Sequence, residues 1–241
     1  MKEVRFFYDP ELEGELPQDE AQHAVRVLRL KEGDEIFLMN GRGTFCRAEI
    51  TTAANHHCLY SITERMPQER PWRGYIHLAV APTKLNDRME WLVEKATEVG
   101  WDEVTFLDCQ FSERHVIKTD RMEKIIVSAV KQSHKAWMPK VNQMTDFRRF
   151  ITEQRQGQKF ICHCYDATSD GLVSTEKPRL DSVLRIGEDA TVLIGPEGDF
   201  SVDEVRMAQQ NGWKAVSLGK SRLRTETAAL VAVHFMQISN E

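Results

Sequence analysis

The chain has 241 residues, of which 41% are apolar and 29% are charged, so it can bury a core and keep a hydrated surface. This balance excludes a disordered chain, and the 13 glycines and 8 prolines show no period, which excludes a fibrous one. The net charge of −5 argues against a nucleic-acid partner on its face, but a local basic patch can bind phosphates whatever the total charge.

Residues 1–70 read as a small, mostly β domain. Strands are predicted at Val4–Tyr8, Glu35–Met39, Thr44–Ile50 and Cys58–Thr63, and a helix carries Ala21, Val25 and Leu28 on one side. The glycine-rich turn at 40–43 joins two of these strands and predicts a hairpin. We expect a small barrel that is stabilised by contact with the following domain, because about 70 residues is near the lower limit for independent folding. The stretch 66–71 contains two prolines and is the predicted linker.

From residue 73 to residue 241, strands alternate with helices. The predicted strands are Tyr75–Ala81, Val104–Leu107, Phe160–Tyr165, Thr191–Ile194 and Ala215–Leu218. The predicted helices are Asn86–Val99, Asp120–Trp137 ahead of Pro139, a helix between the capping box at 201–204 and Gly212, and Glu226–Ile238. This alternation predicts an α/β domain with a parallel sheet covered on both faces.

The loop at 194–201 leaves the C-terminal end of an apolar strand, where ligands bind in open α/β sheets. It reads Ile-Gly-Pro-Glu-Gly-Asp-Phe-Ser. Two glycines around Pro-Glu make a tight turn that brings backbone groups close to a ligand. The spacing is neither a Walker A loop nor a dinucleotide fingerprint, and an ordinary turn is an equal alternative.

A second loop, at 218–229, follows the last predicted strand. Lys220, Arg222 and Arg224 precede the start of a helix, whose positive pole does not stabilise cations. An anionic partner such as an RNA phosphate would neutralise them. Thr225 is the predicted N-cap, so part of this motif is architectural.

The last predicted helix poses a packing problem. Residues 228–236 are apolar on nearly every face, whereas a surface helix has a polar side. One face can pack on the sheet, and only residues 237–241 follow to cover another. We expect that cover to be the same surface of a second copy, in a two-fold contact, with an earlier helix of the chain as the alternative.

Other candidate groups are better explained as structure. Cys162–Cys164 lies in an apolar β run, where neighbouring side chains point to opposite faces, so no metal site is predicted. His56–His57 follows a polar turn and is expected to be solvated. The tryptophans Trp72, Trp91 and Trp101 are expected in the core or in an interface.

The first residues, Met-Lys-Glu-Val-Arg, lead into no long apolar run, so we expect no secretory signal. The longest uncharged stretch, 227–240, is shorter than the roughly 18 apolar residues that a membrane span needs. Five cysteines, an odd number, imply no disulfide framework. These features predict a cytoplasmic protein without a membrane partner.

The two C-terminal loops together closely resemble one family. Ile-Gly-Pro-Glu-Gly at 194–198, Leu-Gly at 218–219 and Leu-Arg-Thr-Glu-Thr-Ala at 223–228 are similar to the bacterial small-subunit (16S) ribosomal RNA uracil-N3 methyltransferases of the SPOUT superfamily. Further similar stretches lie at 94–100, 112–114, 131–133 and 23–29, the last within the family's PUA-like N-terminal module. The resemblance covers nearly the whole chain. It departs at Asp199, where a second glycine is usual after Glu-Gly, and at 132–135.

The resemblance implies a SPOUT-type trefoil-knotted parallel-sheet domain after a PUA-like β-barrel domain that binds RNA. It implies a homodimer that uses S-adenosylmethionine to methylate uracil N3 in 16S ribosomal RNA or in the small ribosomal subunit, without a metal. The residues that it implies for the cofactor lie in the two loops: Ile194, Gly195, Pro196, Glu197, Gly198, Leu218, Gly219, Leu223, Thr225, Thr227 and Ala228.

This chemistry suggests roles for three charged side chains. Uracil N3 carries a proton that must leave, so a base is expected, with Glu197 as the first candidate. Glu226 begins a helix, where its anion is stabilised, and therefore suits an anchor better than a base. Arg224 is expected to stabilise negative charge on the uracil oxygens. Two alternatives stay open: a ribose 2′-hydroxyl methyltransferase of the same superfamily, and a catalytically silent RNA-binding protein on the same scaffold.

Basic residues recur along both halves of the chain. A single basic residue is usually just a solvated surface residue. If these residues align on one surface, however, they form a basic RNA-binding surface despite the negative net charge of the chain. The candidate RNA contacts are Arg26, Arg29, Arg114, Lys220 and Arg222.

Overall fold

The computed structural model describes residues 5–54, 56–165 and 177–241. The chain forms two compact units. The first contains the residues up to Arg70 together with Val127–Met138, and the second contains Pro71–Ile126 and Pro139–Glu241. Residues 127–138, which the sequence places in the second domain, therefore group with the first unit.

The first unit is built on a four-stranded sheet in the order β1-β2-β3-β4. Its strands are β1 (Phe6–Tyr8), β2 (Glu35–Met39), β3 (Thr44–Ala54) and β4 (His57–Pro67). The predicted hairpin is confirmed, because β2 pairs antiparallel with β3 and β3 with β4, while β1 runs parallel to β2. The predicted linker start is wrong: Met66 and Pro67 still pair with Phe45 and Thr44, so the strand continues to residue 67.

The helical segment of the first unit starts as α1 (Gln18–Gln22) and continues as a π-helical turn, His23–Val27. It ends at Arg29, whose φ of 56° is left-handed. The backbone N–H of Leu30 donates to the Ala24 carbonyl at 3.0 Å across this residue. The left-handed residue after a helix end is usually glycine, so here an arginine occupies a position that glycine usually takes.

Residues 127–138 contact the hairpin turn of the same unit. Gly43 N–H donates to the Ala136 carbonyl at 2.9 Å. A Cβ at Gly43 would lie only 2.3 Å from the Trp137 ring, so the turn needs glycine for this approach. Lys131 and Glu20 form a salt bridge of 2.7 Å, both largely buried.

The second unit contains a six-stranded sheet in the order β10-β8-β9-β5-β6-β7. Its strands are β5 (Ile76–Val80), β6 (Glu103–Asp108), β7 (Lys140–Asp146), β8 (Gln158–Cys162), β9 (Ala190–Ile194) and β10 (Lys214–Val216). All of their pairings are parallel, and every residue of β5 and β9 is buried. The predicted α/β class with a parallel sheet covered on both faces is confirmed.

The remaining helices are α2 (Asn86–Val99), α3 (Thr119–Gln132), α4 (Phe147–Thr152), α5 (Leu180–Val183), α6 (Val202–Gln210) and α7 (Thr225–Ile238). The bounds of α2 are as predicted, and the capping box before α6 is present between Ser201 and Glu204. Helix α7 contacts α2 as well as β5 and β9, so the earlier helix considered as its alternative cover does contribute.

Helix α3 and strand β8 both end before the predicted residue. Helix α3 ends at Gln132 rather than Trp137, because His134 adopts a left-handed φ of 52° and the Lys135 N–H bonds back to the Val130 carbonyl. Strand β8 ends at Cys162, so the predicted strand to Tyr165 is too long. Among the described residues, none of the helices combines the length and the apolar composition that crossing a membrane requires.

Candidate active site

The C-terminal edge of the parallel sheet collects the loops that follow its strands. Both predicted loops lie there, at 195–201 after β9 and at 217–224 after β10. The loops after β5, β6 and β8 begin at the same edge, because all these strands are parallel.

The turn after β9 is tight, with the Asp199 N–H donating to the Pro196 carbonyl at 3.0 Å. Each glycine of this turn packs closely against an aromatic residue. A Cβ at Gly195 would lie 2.9 Å from the Phe200 nitrogen, and a Cβ at Gly198 would lie 3.2 Å from Phe111 Cβ. A side chain at residue 195 would therefore force a backbone shift, whereas one at residue 198 would require Phe111 to move by a few tenths of an ångström.

Asp199 supplies both the conformation and the contacts of this turn. Its φ is 67°, in the left-handed region that aspartate and asparagine tolerate better than most residues. Oδ1 accepts from the Phe200 N–H at 2.8 Å, and Oδ2 accepts from the Cys164 N–H at 2.7 Å. The side chain that replaces the glycine usual in the resembling family thus joins the loops after β8 and β9.

The loop after β5 is held by Glu197, which was predicted as the base, and by Arg114, which was predicted as an RNA contact. Glu197 is exposed, and its Oε1 accepts from the Lys84 N–H at 2.9 Å. The Arg114 guanidinium donates to the carbonyls of Thr83 and Lys84. Arg114 is half-buried, so its cation is engaged with the protein backbone rather than displayed on the surface.

The loop after β10 carries three exposed cations. Lys220, Arg222 and Arg224 are exposed, and none forms a salt bridge or hydrogen bond through its side chain within the described parts of the chain. Gly219 has a φ of 129°, and a Cβ there would meet nothing within 4 Å. The space beside the Gly219 Cα is therefore open, although its N–H and carbonyl both hydrogen-bond to Ser217 Oγ at 3.1 Å.

The predicted N-cap of α7 is wrong by one residue. Arg224 occupies the cap position, with φ −71° and ψ 157°, and its carbonyl accepts from the Ala228 N–H at 2.8 Å. Thr225 is the first helical residue and is buried, so it is held in the helix instead of capping it. Thr227 and Ala228 are half-buried in the first turn.

Glu226, the second residue of α7, is only 7% exposed. Its Oε1 lies 3.5 Å from Arg88 Nη1 at the start of α2. Its Oε2 is buried and has no hydrogen-bond partner among the described residues. An unpaired buried oxygen costs about 1–3 kcal/mol, which a bound ligand offering an N–H or O–H would recover.

The candidate RNA contacts of the first unit are Arg26 and Arg29, and both are exposed. Arg26 Nη2 lies 2.9 Å from His56 Nε2, and His57 pairs with Glu15 at 2.6 Å. The two histidines are thus exposed, as predicted, but each has a protein partner.

The Cys162–Cys164 segment also ends at this sheet edge. Burial, reinforced by the nearby Lys177 cation, lowers the pKa of His163 to about 4, so this imidazole is neutral at pH 7. Within residues 5–54, 56–165 and 177–241, no three His, Cys, Asp or Glu side chains are grouped closely enough to hold a metal ion.

Sequence reasoning missed the contacts of Arg88 and Phe111, because neither residue belongs to a recognisable motif. Of the tryptophans expected in a core or interface, Trp72 and Trp101 are buried, whereas Trp91 is 41% exposed.

Comparison with known proteins agrees with this architecture. An RNA methyltransferase domain model matches residues 70–237, and an RNA methyltransferase PUA domain model matches residues 16–62. A crystal structure described as a probable rRNA-methyltransferase from Porphyromonas gingivalis is 40% identical, with a TM-score of 0.90 over 98% of each chain.

Two relatives share one name. Ribosomal RNA small subunit methyltransferase E from Neisseria gonorrhoeae, solved bound to S-adenosyl methionine, is 25% identical, with a TM-score of 0.84 over 98% of each chain. The protein of that name from Bacillus subtilis (strain 168) is 27% identical over 92% of this chain and 89% of its own length. With the domain model spanning residues 70–237 and the PUA model preceding it, this chain belongs to the RNA methyltransferase family, as the two C-terminal loops indicated.

Proposed function

We propose that this chain transfers a methyl group from S-adenosylmethionine to N3 of a uridine in small-subunit 16S ribosomal RNA. The observation that carries the proposal is the placement of the loops at 195–201 and 217–224 at the same sheet edge of a family member, where Glu226 has a buried oxygen with no hydrogen-bond partner among the described residues. The names of the relatives support the ribosomal substrate, and the relative solved with S-adenosyl methionine supports the cofactor.

The residues proposed for the cofactor fit its chemistry. Leu218 and Leu223 are half-buried apolar side chains suited to adenine, and the space beside the Gly219 Cα is open. Glu226 Oε2, which has no hydrogen-bond partner among the described residues, can accept a hydrogen bond from a hydroxyl or an ammonium group. When bound, S-adenosylmethionine supplies a methyl group on a sulfonium, which is already electrophilic.

The protein must then hold the acceptor nitrogen in line, a proximity effect of about 7–11 kcal/mol at most. Glu197 uses Oε1 to bind the Lys84 N–H, and its exposed carboxylate retains capacity to accept the N3 proton. The guanidinium of Arg224 has no partner within the described residues and stabilises negative charge on the uracil oxygens.

Exposed cations supply the proposed RNA contacts. Arg26 and Arg29 act from the PUA domain, and Lys220 and Arg222 act from the methyltransferase domain. Arg114 contributes indirectly, because its guanidinium fixes the carbonyls of Thr83 and Lys84 beside Glu197.

The proposal includes a cytoplasmic homodimer. Helix α2 and the sheet cover only part of α7, since Ile238 is 46% exposed and Leu230, Val231 and Phe235 are half-buried. A two-fold contact through this face would cover the remainder.

A trefoil knot in the second unit is also proposed. In the sheet, β8 lies between β9 and β10. The N–H of Leu180, a residue that precedes β9, donates to the carbonyl of Ser217, which follows β10. The segment before β9 therefore lies against the segment after β10. An experimental chain trace that straightens when pulled from both ends would contradict the knot.

The direct test uses the purified protein, labelled S-adenosylmethionine and 16S ribosomal RNA, free or in the small subunit, prepared without the modification. Nucleoside mass spectrometry of the product should show 3-methyluridine. A 2′-O-methyl nucleoside would assign the ribose reaction instead, and RNA binding without any methylated product would identify a silent binding protein.

A further inference from the structure

We propose that Phe111 is a stacking platform for an unpaired base of the RNA substrate, beside the turn at 195–199. The inference rests on the proposed function, because it assigns one contact of that substrate. Phe111 belongs to the loop after β6 and directly precedes the family-like stretch at 112–114, but the sequence did not single out Phe111 itself.

The turn that carries Phe111 is fixed by hydrogen bonds on both sides of the ring. Ser112 N–H donates to the Cys109 carbonyl, and Cys109 N–H donates to Ser112 Oγ, both at 3.0 Å. Gln110 N–H donates to Glu204 Oε1 at 2.8 Å, and Glu204 also closes the capping box of α6. The backbone on either side of Phe111 is therefore held, and a base binding to the ring would pay little ordering entropy.

Despite this fixed backbone, the Phe111 side chain is 46% exposed. The ring borders the candidate active site, because a Cβ at Gly198 would lie 3.2 Å from Phe111 Cβ and 3.8 Å from Cγ. Gly198 follows Glu197, the proposed base. A side chain at residue 198 would have to displace Phe111 by a few tenths of an ångström, so glycine at this position favours the approach of the ring to the turn that carries Glu197.

Among possible occupants, an unpaired base suits this surface best. Proteins recognise single-stranded RNA by stacking its bases on aromatic rings while cations bind the phosphates. The same sheet edge carries Lys220, Arg222 and Arg224, whose side chains have no partner within the described residues. An exposed ring and such cations at one sheet edge suit a single strand that stacks one base on the ring and contacts the cations with phosphates of other nucleotides.

The test compares Phe111→Ala and Phe111→Trp with the wild type. Val116→Ala is the matched control, because Val116 is apolar, 72% exposed and part of the same loop. Each protein is photo-crosslinked to 16S ribosomal RNA transcribed with 4-thiouridine, and the crosslinked peptides are mapped by mass spectrometry. The kcat/KM for this RNA, the Kd for S-adenosylmethionine and the sedimentation coefficient are measured in parallel.

We expect a crosslink at Phe111 and a loss of kcat/KM for RNA of about 5-fold to 150-fold in Phe111→Ala, the range for one stacked base. Phe111→Trp and Val116→Ala should stay within about threefold of the wild type, with the Kd for S-adenosylmethionine unchanged in all. A Phe111→Ala enzyme within twofold of the wild type, or equal losses in the alanine and tryptophan variants, would overturn the platform. A changed sedimentation coefficient in Phe111→Ala would also overturn it, by assigning the ring to a contact between copies. If the wild type does not methylate the RNA, the proposed function fails. A crosslink between Phe111 and the RNA would then still support base stacking, and the absence of a crosslink would refute it.

Discussion

The Asp199 carboxylate accepts a 2.7 Å hydrogen bond from the backbone N–H of Cys164, and this bond joins the loops that follow two neighbouring strands. Asp199 itself stands in a left-handed conformation, φ 67°, within the turn that begins with Gly-Pro-Glu-Gly. A glycine would adopt this backbone freely but would lose the bond to Cys164. The side chain therefore positions the turn beside the candidate active site.

Replacing Asp199 separates the contribution of its left-handed backbone conformation from that of its hydrogen bond to Cys164. Asp199→Asn keeps an acceptor and the tolerance for a left-handed φ, so its activity should stay within about threefold of the wild type. Asp199→Gly keeps only the conformation and should weaken S-adenosylmethionine binding by about 5-fold to 10-fold, the effect of one hydrogen bond of about 1–1.5 kcal/mol. A methyl-transfer assay measures the activity, and isothermal titration calorimetry measures the affinity for S-adenosylmethionine. Equal affinities in the glycine variant and the wild type would show that the bond to Cys164 does not position the turn.

Arg224→Ala tests the assignment of charge stabilisation. Methyl transfer should fall by a factor on the order of hundreds, while S-adenosylmethionine binding stays within a few-fold. Arg222→Ala is the comparison variant, because Arg222 is a neighbouring exposed cation assigned to phosphate binding, and it should raise the KM for RNA with little change in kcat. Single-turnover kinetics and equilibrium dialysis supply the two quantities. Comparable losses of transfer and cofactor binding in Arg224→Ala would make this residue part of the cofactor site.

The cations of the PUA domain should determine salt-dependent RNA binding. A variant with Arg26→Gln and Arg29→Asn removes two charges, and asparagine tolerates the left-handed φ of 56° at residue 29. The slope of log K against log salt should become shallower by about 1.4–1.8, since each phosphate contact contributes about 0.7–0.9. Fluorescence anisotropy with 16S ribosomal RNA fragments measures the slope. An RNA affinity that does not respond to salt in the wild type would refute phosphate binding by these residues.

The exposed face of α7 predicts a dimer. Sedimentation of the wild type should give about 56 kDa, twice the 27.8 kDa of the chain. Phe235→Glu would bury a charge in the contact at a cost of several kcal/mol, so the variant should be monomeric. His234→Glu is the control, because His234 is the adjacent residue and is exposed. A monomeric and fully active wild type would show that α7 needs no second copy.

The sequence predicted the elements that are encoded by local signals. The apolar stripe of α2 and the capping box before α6 gave correct elements because a few neighbouring residues determine them. Strand β7 was missed because it lies at the sheet edge, where exposed polar residues such as Lys140 interrupt the apolar run. The end of α3 was missed because His134, not a glycine, adopts the left-handed conformation there.

The motifs of the candidate site were visible in the sequence, but most of their contacts were not. The two loops could be found as residue patterns, and parallel strands place them at one edge. The pairing of Glu226 with Arg88 and the approach of Phe111 to Gly198 join residues far apart in the chain. Such contacts depend on the folded sheet, and no local pattern encodes them.

The central claim is methylation of uridine N3 in 16S ribosomal RNA, and nucleoside mass spectrometry of that RNA from a strain lacking this protein tests it most directly. The account predicts that 3-methyluridine disappears from 16S RNA in the deletion strain, returns with the wild-type gene and does not return with Arg224→Ala. An unchanged amount of 3-methyluridine in 16S RNA of the deletion strain would contradict it.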